Sequence, residues 1–142
     1  PWFTGAAVMS QAFPSLKIVL IAALYAVGAH GIMTLNDFKA LKGDRQTGIN
    51  SLPVQFGPNM AAKIACWVMT IPQLLVVILM SSWGAFQPAV FIGCLVLGQF
   101  LAMRKLLKDP QKFAPWYNAT GVLMFVLGMM VCAFGLRNFG AF

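Results

Sequence analysis

Four long apolar stretches limit what this chain can fold into more than any other feature of its sequence. They cover residues 16–34, 59–80, 86–103 and 117–136. Each has about the 20 residues that a helix needs to cross the hydrocarbon core of a bilayer. Only 9% of the residues are charged and 60% are hydrophobic, which excludes an ordinary soluble domain. The sequence therefore predicts one all-α membrane domain over residues 1–142, with about four transmembrane helices.

The segment Pro1–Met9 is also apolar, but it is too short to cross a bilayer and Pro14 follows it. It could form an interfacial helix or the end of a further span. The chain begins with Pro and shows neither the charged start nor the cleavage site of a signal peptide. Truncation or processing is the simpler explanation.

Basic residues are concentrated in two of the predicted connections between helices. Four basic residues lie near the first connection: Lys39, Lys42, Arg45 and Lys63. Four more lie in the third connection: Arg104, Lys105, Lys108 and Lys112. Only Lys17 and Arg137 remain for the opposite side of the membrane. Because Lys and Arg favour the cytoplasmic side of short loops, we predict a cytoplasmic motif loop over residues 36–57. This asymmetry explains the net charge of +7 without nucleic-acid binding.

Two of the three acidic residues lie just after the first apolar stretch, at Asp37 and Asp44. Carboxylates are costly near hydrocarbon, so this placement indicates binding of an ion or an anion. If the first helix continues past Thr34, both carboxylates lie on one face about two turns, or roughly 10 Å, apart. If Gly43 stops that helix, Asp44 lies on the loop. Either arrangement can hold Mg²⁺ through one or two carboxylates, with substrate phosphates and water as further ligands.

The same charges have an ordinary interpretation. Together with three neighbouring cations, the two carboxylates could form a solvated, salt-bridged loop that follows the positive-inside rule. Asp109 lies among lysines on a connection that contains Pro, where a solvated charge is expected. Composition does not decide between a metal-diphosphate site and such a loop.

The motif segment resembles the second Asp-rich motif of the UbiA-type prenyltransferases, in particular of the chlorophyll and bacteriochlorophyll synthase branch. The matching residues are Asn36–Lys39, Gly43–Arg45, Gly48 and Ser51–Gly57, with further similarity at Ala29–Leu35 and Ala114–Gly121. The wider superfamily commonly has two Asp residues four positions apart. Here Asp44 fits the later position, Ala40 occupies the earlier one and Asp37 lies one turn before, an arrangement that resembles the synthase branch.

The resemblance implies the C-terminal half of a nine-helix bundle, because the superfamily carries a first Asp-rich motif in its N-terminal half and no second acidic cluster is present here. It also implies Mg²⁺-dependent transfer of a geranylgeranyl or phytyl group from its diphosphate to the propionate of bacteriochlorophyllide a. The expected location is the bacterial inner, photosynthetic membrane. The segment alone is expected to be inactive.

The resemblance further implies a role for each polar residue of the motif. The metal ligands would be Asp37 and Asp44, the diphosphate ligands Lys42 and Arg45 with Lys39 as a weaker candidate, and Asn36 would complete the polar shell. An allylic diphosphate ionises once Mg²⁺ and cations absorb the leaving charge. The acceptor carboxylate is already ionised at neutral pH, so no general base is required.

Five residues near the ends of the apolar stretches each have two interpretations. Phe38, Trp116 and Tyr117 could shield an allylic cation with their ring faces, or anchor the protein at the membrane interface. Asn118 and Thr120 could contact the tetrapyrrole, or cap the last helix. In the first interpretation, Tyr117 and Asn118 belong to the substrate site.

Residues inside the apolar stretches carry less information. His30 could ligate the magnesium of a chlorin or make an interhelical hydrogen bond. Cys66, Cys94 and Cys132 lack any close metal-binding spacing, so core or lipid-facing positions are expected.

The alternative function is that of a non-catalytic membrane subunit, which packs against a photosynthetic complex or pigment-biosynthesis proteins or binds pigment. A chain of this length without a first Asp-rich motif is its supporting feature. A small transporter or channel lacks support, because His30 is the only ionisable residue well inside a predicted span.

Overall fold

A computed structural model describes residues 13–138 of the chain, with side chains through residue 136. Nearly all of these residues are helical, and no strand occurs among them. The helices are α1 (Leu16–Thr47), α2 (Leu52–Phe56), α3 (Pro58–Ser82), α4 (Phe86–Leu106) and α5 (Pro110–Asn138). All except the short α2 are long and apolar enough to cross a membrane. The chain is thus an all-α, multi-pass membrane protein, as predicted.

Helix α1 continues well beyond the apolar stretch that begins it. Ser15 caps its start, where the Ser15 Oγ accepts a hydrogen bond from the Ile18 backbone N at 3.5 Å. Its end is at Gly48, whose φ of 74° is left-handed and whose N–H donates to the Asp44 carbonyl. A left-handed residue ends an α-helix, and glycine adopts this conformation without steric cost. Of the two arrangements left open by the sequence, the helix is thus the one that continues past Gly43.

The helices pack closely where α1 crosses α3 and α5. A Cβ placed on Gly28 would lie 2.6 Å from the Phe125 ring, and one on Gly31 would lie 2.5 Å from the Ala65 carbonyl oxygen. Small residues at such positions let helix backbones approach each other in a membrane protein. The core between the helices is filled by large apolar side chains, among them Met69, which is fully buried.

Two contacts fix which helix ends lie together. The Lys17 ammonium, at the start of α1, lies 5.3 Å from the centre of the Trp83 ring at the end of α3. At the other end of the bundle, the Asn118 Nδ2 of α5 donates to the Asn36 Oδ1 of α1 at 3.0 Å. The long helices therefore alternate in direction, and the end of α1 lies beside the beginning of α5.

The core also contains polar side chains. Gln73 of α3 and Gln99 of α4 are fully buried, and the Gln99 Nε2 donates to the Gly121 carbonyl at 2.8 Å. Large apolar residues such as Phe91 and Leu97 are instead exposed on the outer surface, each with 65% of its surface accessible. This distribution suits a bundle whose outer surface contacts lipid.

Each of the four predicted apolar stretches lies within one long helix. The segment 36–57, predicted as a loop, is helical in residues 36–47 and again in α2. Residues 83–85 connect α3 to α4. The apolar segment 1–9 lies outside the described residues.

Candidate functional site

The two motif carboxylates lie on one edge of α1. Because the helix is continuous through Thr47, the seven-residue spacing places Asp37 and Asp44 on the same edge, about two turns apart. Asp37 is half-buried, and Asp44 is buried with 9% of its surface accessible. Of the two arrangements that the sequence allowed, the structure confirms the one in which both carboxylates lie on one helix.

No cation neutralises these carboxylates directly. In residues 13–136, no Lys or Arg nitrogen lies within 4.0 Å of a carboxylate oxygen. Partial burial and the nearby Asp44 carboxylate raise the pKa of Asp37, which lies beyond the apolar part of α1. The salt-bridged loop is therefore wrong as an account of this segment. Two uncompensated carboxylates that repel each other are suited to binding a cation.

A pair of asparagines joins α1 to α5 beside these carboxylates. The Asn118 Nδ2 donates to the Asn36 Oδ1, while the buried Asn118 Oδ1 has no hydrogen-bond partner. Asn118 and Thr120 lie about two turns inside α5, where the Thr120 Oγ1 donates to the Trp116 carbonyl at 2.9 Å. Neither residue caps the helix, so that interpretation is wrong. The Asn118 Oδ1 is thus a buried acceptor without a partner in the described residues.

The basic side chains of the motif line a separate groove. It has a volume of about 450 Å³ and is lined by Phe38, Lys39, Leu41, Lys42, Arg45, Gln46 and Gln111. Successive residues advance about 100° around a helix, so Lys39 and Lys42 lie about 160° from the carboxylate edge. Arg45 lies closer to that edge, at about 80–100°. Among the cations that line the basic groove, Arg45 therefore lies nearest the carboxylate edge.

The carboxylate pair matches a site that Mg²⁺ completes with other ligands. No group of three or more His, Cys, Asp or Glu residues that could hold a metal occurs in the described part of the chain. A site made wholly of such side chains is therefore not present there. Mg²⁺, however, is commonly bound through one or two carboxylates, with water and substrate phosphates supplying the other oxygens. Asp37 and Asp44, about two turns apart on α1, each fit as one such carboxylate ligand but lie too far apart to bind the same ion directly.

The aromatic residues near the site have partners within the protein. The Lys105 ammonium lies 4.0 Å from the centre of the Trp116 ring and 5.2 Å from that of Phe113. Tyr117 is fully buried, and a Cβ on Gly121 would overlap its ring. One face of Trp116 is thus covered by the protein's own cation, and Tyr117 is a core residue of this segment.

Residues within the apolar stretches do not join the candidate site. His30 is exposed on the outside of the bundle, and its imidazole has no hydrogen-bond partner among the described residues. Cys66 and Cys132 are buried and Cys94 is exposed, which confirms the core and lipid-facing positions expected of them. No described residue therefore makes the interhelical hydrogen bond proposed for His30.

Sequence reasoning missed several polar residues. Gln111 lines the basic groove, although nothing in its sequence neighbourhood indicates this. Gln73 and Gln99 are buried in the core, and the rarity of uncharged amides within apolar stretches could have revealed them. The contact between Lys105 and Trp116 joins two helices, so it has no short-range sequence pattern.

Comparisons with known proteins bear on these residues. The bacteriochlorophyll synthase 33 kDa chain of Cereibacter sphaeroides is 60% identical over 138 residues, which are 97% of this chain and 46% of that protein. The protein of the same name from Rhodobacter capsulatus is 51% identical over 142 residues, or 98% of this chain and 47% of that protein. Chloroplastic chlorophyll synthase of Avena sativa is 37% identical over 134 residues, which are 94% of this chain and 35% of that protein.

The chain spans about half the length of the bacterial relatives that it matches. No solved structure matches it. The model of the UbiA prenyltransferase family matches residues 1–129, which include the whole motif segment. On the strength of this match and of the relatives' identity over nearly the whole chain, the chain belongs to the UbiA prenyltransferase family.

Proposed function

We propose that the protein containing this chain is a bacteriochlorophyll a synthase. The reaction would transfer a geranylgeranyl or phytyl group from its diphosphate to the propionate of bacteriochlorophyllide a. The observation that carries the proposal is the pair of uncompensated carboxylates, Asp37 and Asp44, on one helix edge. Relatives 60% and 51% identical, both named bacteriochlorophyll synthase, support the choice of substrate class.

Asp37 and Asp44 are the proposed Mg²⁺ ligands. When bound, Mg²⁺ would neutralise charge on the leaving diphosphate, which is the main barrier to ionisation of an allylic ester. Asp44 is held in place by burial and by the end of α1 at Gly48. Asp37 is more accessible than Asp44. Because the two lie about two turns apart, each would supply one oxygen ligand to its own ion or to a separate part of the metal-diphosphate assembly.

The basic residues are proposed to bind the diphosphate oxygens. Arg45 is the first candidate, because it is the cation of the basic groove nearest the carboxylate edge and its guanidinium can donate two hydrogen bonds to a phosphate. Lys42 and Lys39 line the groove farther from the acidic edge, where they would act mainly through their charge. This order follows from their positions around α1.

The asparagine pair is the proposed polar shell of the site. Asn36 accepts from Asn118, which leaves the Asn36 amide group free to donate, while the Asn118 carbonyl oxygen is buried without a partner in the described residues. Tyr117, which the resemblance places in the substrate site, is fully buried in the core. The acceptor propionate is ionised at neutral pH and needs no general base, so no buried proton acceptor is required.

The proposed location is the inner, photosynthetic membrane of a bacterium, with the motif end of the bundle at the cytoplasmic side. Support comes from the cluster of eight basic residues that the sequence places at that end. Bacteriochlorophyllide, the prenyl diphosphate and lipid would be its partners, together with neighbouring photosynthetic or pigment-biosynthesis proteins.

The test is an esterification assay on the full product of the gene that encodes this segment, with Mg²⁺, bacteriochlorophyllide a and geranylgeranyl diphosphate. We expect Asp37→Asn and Asp44→Asn each to lower kcat by about 10²–10³-fold, a typical loss for one group that stabilises developing charge. Asp109→Asn is the matched control. The Asp109 carboxylate is exposed, accepts from the Lys112 backbone N at the start of α5, and is neither on the carboxylate edge nor among the residues that line the basic groove.

Retention of wild-type kcat by both motif variants would refute the proposed metal site. Loss of the same size in Asp109→Asn would show that the assay reports a general effect of charge. If the wild-type product is folded and binds pigment but makes no ester, the function is that of a non-catalytic pigment-binding subunit. Chromatographic retention and helical circular dichroism establish folding in each case.

A further inference from the structure

The outer surface of α3 and α4 carries a pair of aromatic side chains near the end of the bundle where the motif segment and most basic residues lie, here called the charged end. Trp67 of α3 and Phe100 of α4 contact each other edge to face, with ring centres 6.3 Å apart and planes at 73°. Half of the Trp67 surface is accessible. A ring pair at this depth forms a ridge on a surface that faces the bilayer.

An apolar groove lies on each side of this ridge. One has a volume of about 560 Å³ and includes Ile64 and Ile71 in its lining. The other has a volume of about 630 Å³ and includes Leu97 and Leu101. Trp67 lines both grooves, so the two form a pair separated by one side chain.

Each groove includes one cation toward the charged end of the bundle, and the two cations lie at the same depth. Lys63 precedes Trp67 by four residues on α3 and lines the first groove. Arg104 follows Phe100 by four residues on α4 and lines the second. The two helices run in opposite directions, so each cation lies about 6 Å from the ring pair toward the charged end. In the described residues, neither cation has an acidic partner within 4.0 Å.

We propose that this surface binds one anionic phospholipid with two acyl chains. The phosphate would lie between Lys63 and Arg104, and one acyl chain would enter each groove on either side of Trp67. Charge complementarity supports this occupant, because two unpaired cations at one depth match a single anionic headgroup. The pairing of the grooves supports it too, since a ridge between two apolar channels matches the branching of a diacyl lipid.

The proposed lipid site is separate from the motif site. Its cations and ring pair lie on α3 and α4, with Val27 of α1 also lining the first groove, whereas the motif carboxylates and the basic groove involve the last part of α1 and the start of α5. Lys63 and Arg104 have no role in the proposed prenyl transfer. Failure of either proposal would leave the other intact.

The experiment measures lipid retention by native mass spectrometry on the full gene product in detergent. The probes are phosphatidylglycerol and phosphatidylcholine with identical acyl chains. Lys63→Gln/Arg104→Gln is the test variant and Lys108→Gln/Lys112→Gln the control, because it removes the same charge from the connection before α5 and from its first turn. We expect the test variant to lower phosphatidylglycerol affinity by about 30-fold, the effect of two cations at headgroup depth.

The proposed lipid site leads us to expect three further results. The control variant should retain the phosphatidylglycerol affinity of the wild type within a factor of about two. Phosphatidylcholine binding should be unaffected by the test variant, because that headgroup carries no net negative charge. Trp67→Ala should weaken both lipids, because it removes the wall that the two grooves share.

Equal losses in the test and control variants would overturn the proposal, since they would show only a response to net charge. Unchanged phosphatidylglycerol affinity in the test variant would overturn it as well. If geranylgeranyl diphosphate displaces phosphatidylglycerol from the wild type but no longer binds the test variant, the surface serves the prenyl donor and not a lipid.

Discussion

The same substitution at two glycines of α1 should change the stability of the protein in opposite directions. Gly31 is buried against α3, where an added Cβ would lie 2.5 Å from the Ala65 carbonyl oxygen and 2.5 Å from the Met69 Cγ. A Cβ added at Gly43 would meet nothing within 4 Å. Both residues are helical. Any difference between Gly31→Ala and Gly43→Ala therefore reports the packing around each site.

The expected change in the free energy of unfolding has two contributions, one from helix propensity and one from packing. Gly→Ala within a helix raises the free energy of unfolding by about 0.5–1 kcal/mol, because alanine loses less conformational entropy on folding. At Gly43 this gain is the whole effect. At Gly31 the methyl group overlaps a backbone carbonyl that cannot rotate away, and overpacking of this kind costs about 1–3 kcal/mol. We expect Gly31→Ala to be destabilising and the two variants to differ by about 1–3 kcal/mol in free energy of unfolding.

The assay is thermal unfolding of the full gene product in detergent, followed by fluorescence-detected size-exclusion chromatography. For a protein of 150–250 residues, each kcal/mol shifts Tm by about 2–4 °C. Gly43→Ala should raise Tm and Gly31→Ala should lower it. If Gly31→Ala raises Tm as much as Gly43→Ala does, the close approach of α1 to α3 described above is incorrect.

Three further perturbations test other parts of the structure. Gln99→Leu removes the hydrogen bond to the Gly121 carbonyl and should lower the free energy of unfolding, measured by denaturant titration, by about 0.6–1.7 kcal/mol; no change would mean that the bond adds no net stability once the buried, unpaired Gln99 Oε1 is removed with it. Gly48→Ala forces a side chain into left-handed backbone and should cost about 1 kcal/mol, seen as a lower Tm than wild type. The raised pKa of Asp37 lets protons compete with Mg²⁺ at higher pH than at an ordinary aspartate. Mg²⁺ affinity, measured by calorimetry, should therefore fall as the pH is lowered toward the pKa of Asp37. Asp44→Asn removes the neighbouring charge that raises this pKa, so the fall in affinity should occur at lower pH in that variant than in wild type.

The long helices and the shared edge of the motif carboxylates were predictable from short-range patterns. Apolar stretches of sufficient length form helices in a bilayer, because every backbone group must be hydrogen-bonded within the segment. The spacing of Asp37 and Asp44 then fixes their common edge, provided that α1 is continuous. Family resemblance added the proposed chemistry, and the family match confirms that resemblance.

The end of α1 and the contacts between helices were not predictable in this way. Gly43 and Gly48 are both possible stops in the sequence, and only the backbone conformation, with φ of 74° at Gly48, distinguishes them. The hydrogen bond between Asn36 and Asn118 joins residues 82 positions apart. Such contacts depend on how the helices pack, which no local pattern specifies.

Because α1 is continuous, a movement of its middle part is transmitted to its end at the membrane surface. Thirteen residues separate Gly31, at the contact with α3, from Asp44, a length of about 20 Å along the helix. A rotation of about 5° around that contact would displace Asp44 by about 1.7 Å. Misplacement of a reacting group by about 1 Å can reduce a rate by about 10²-fold. Bilayer thickness, which changes the tilt of transmembrane helices, would thereby control the geometry of carboxylates that no lipid touches.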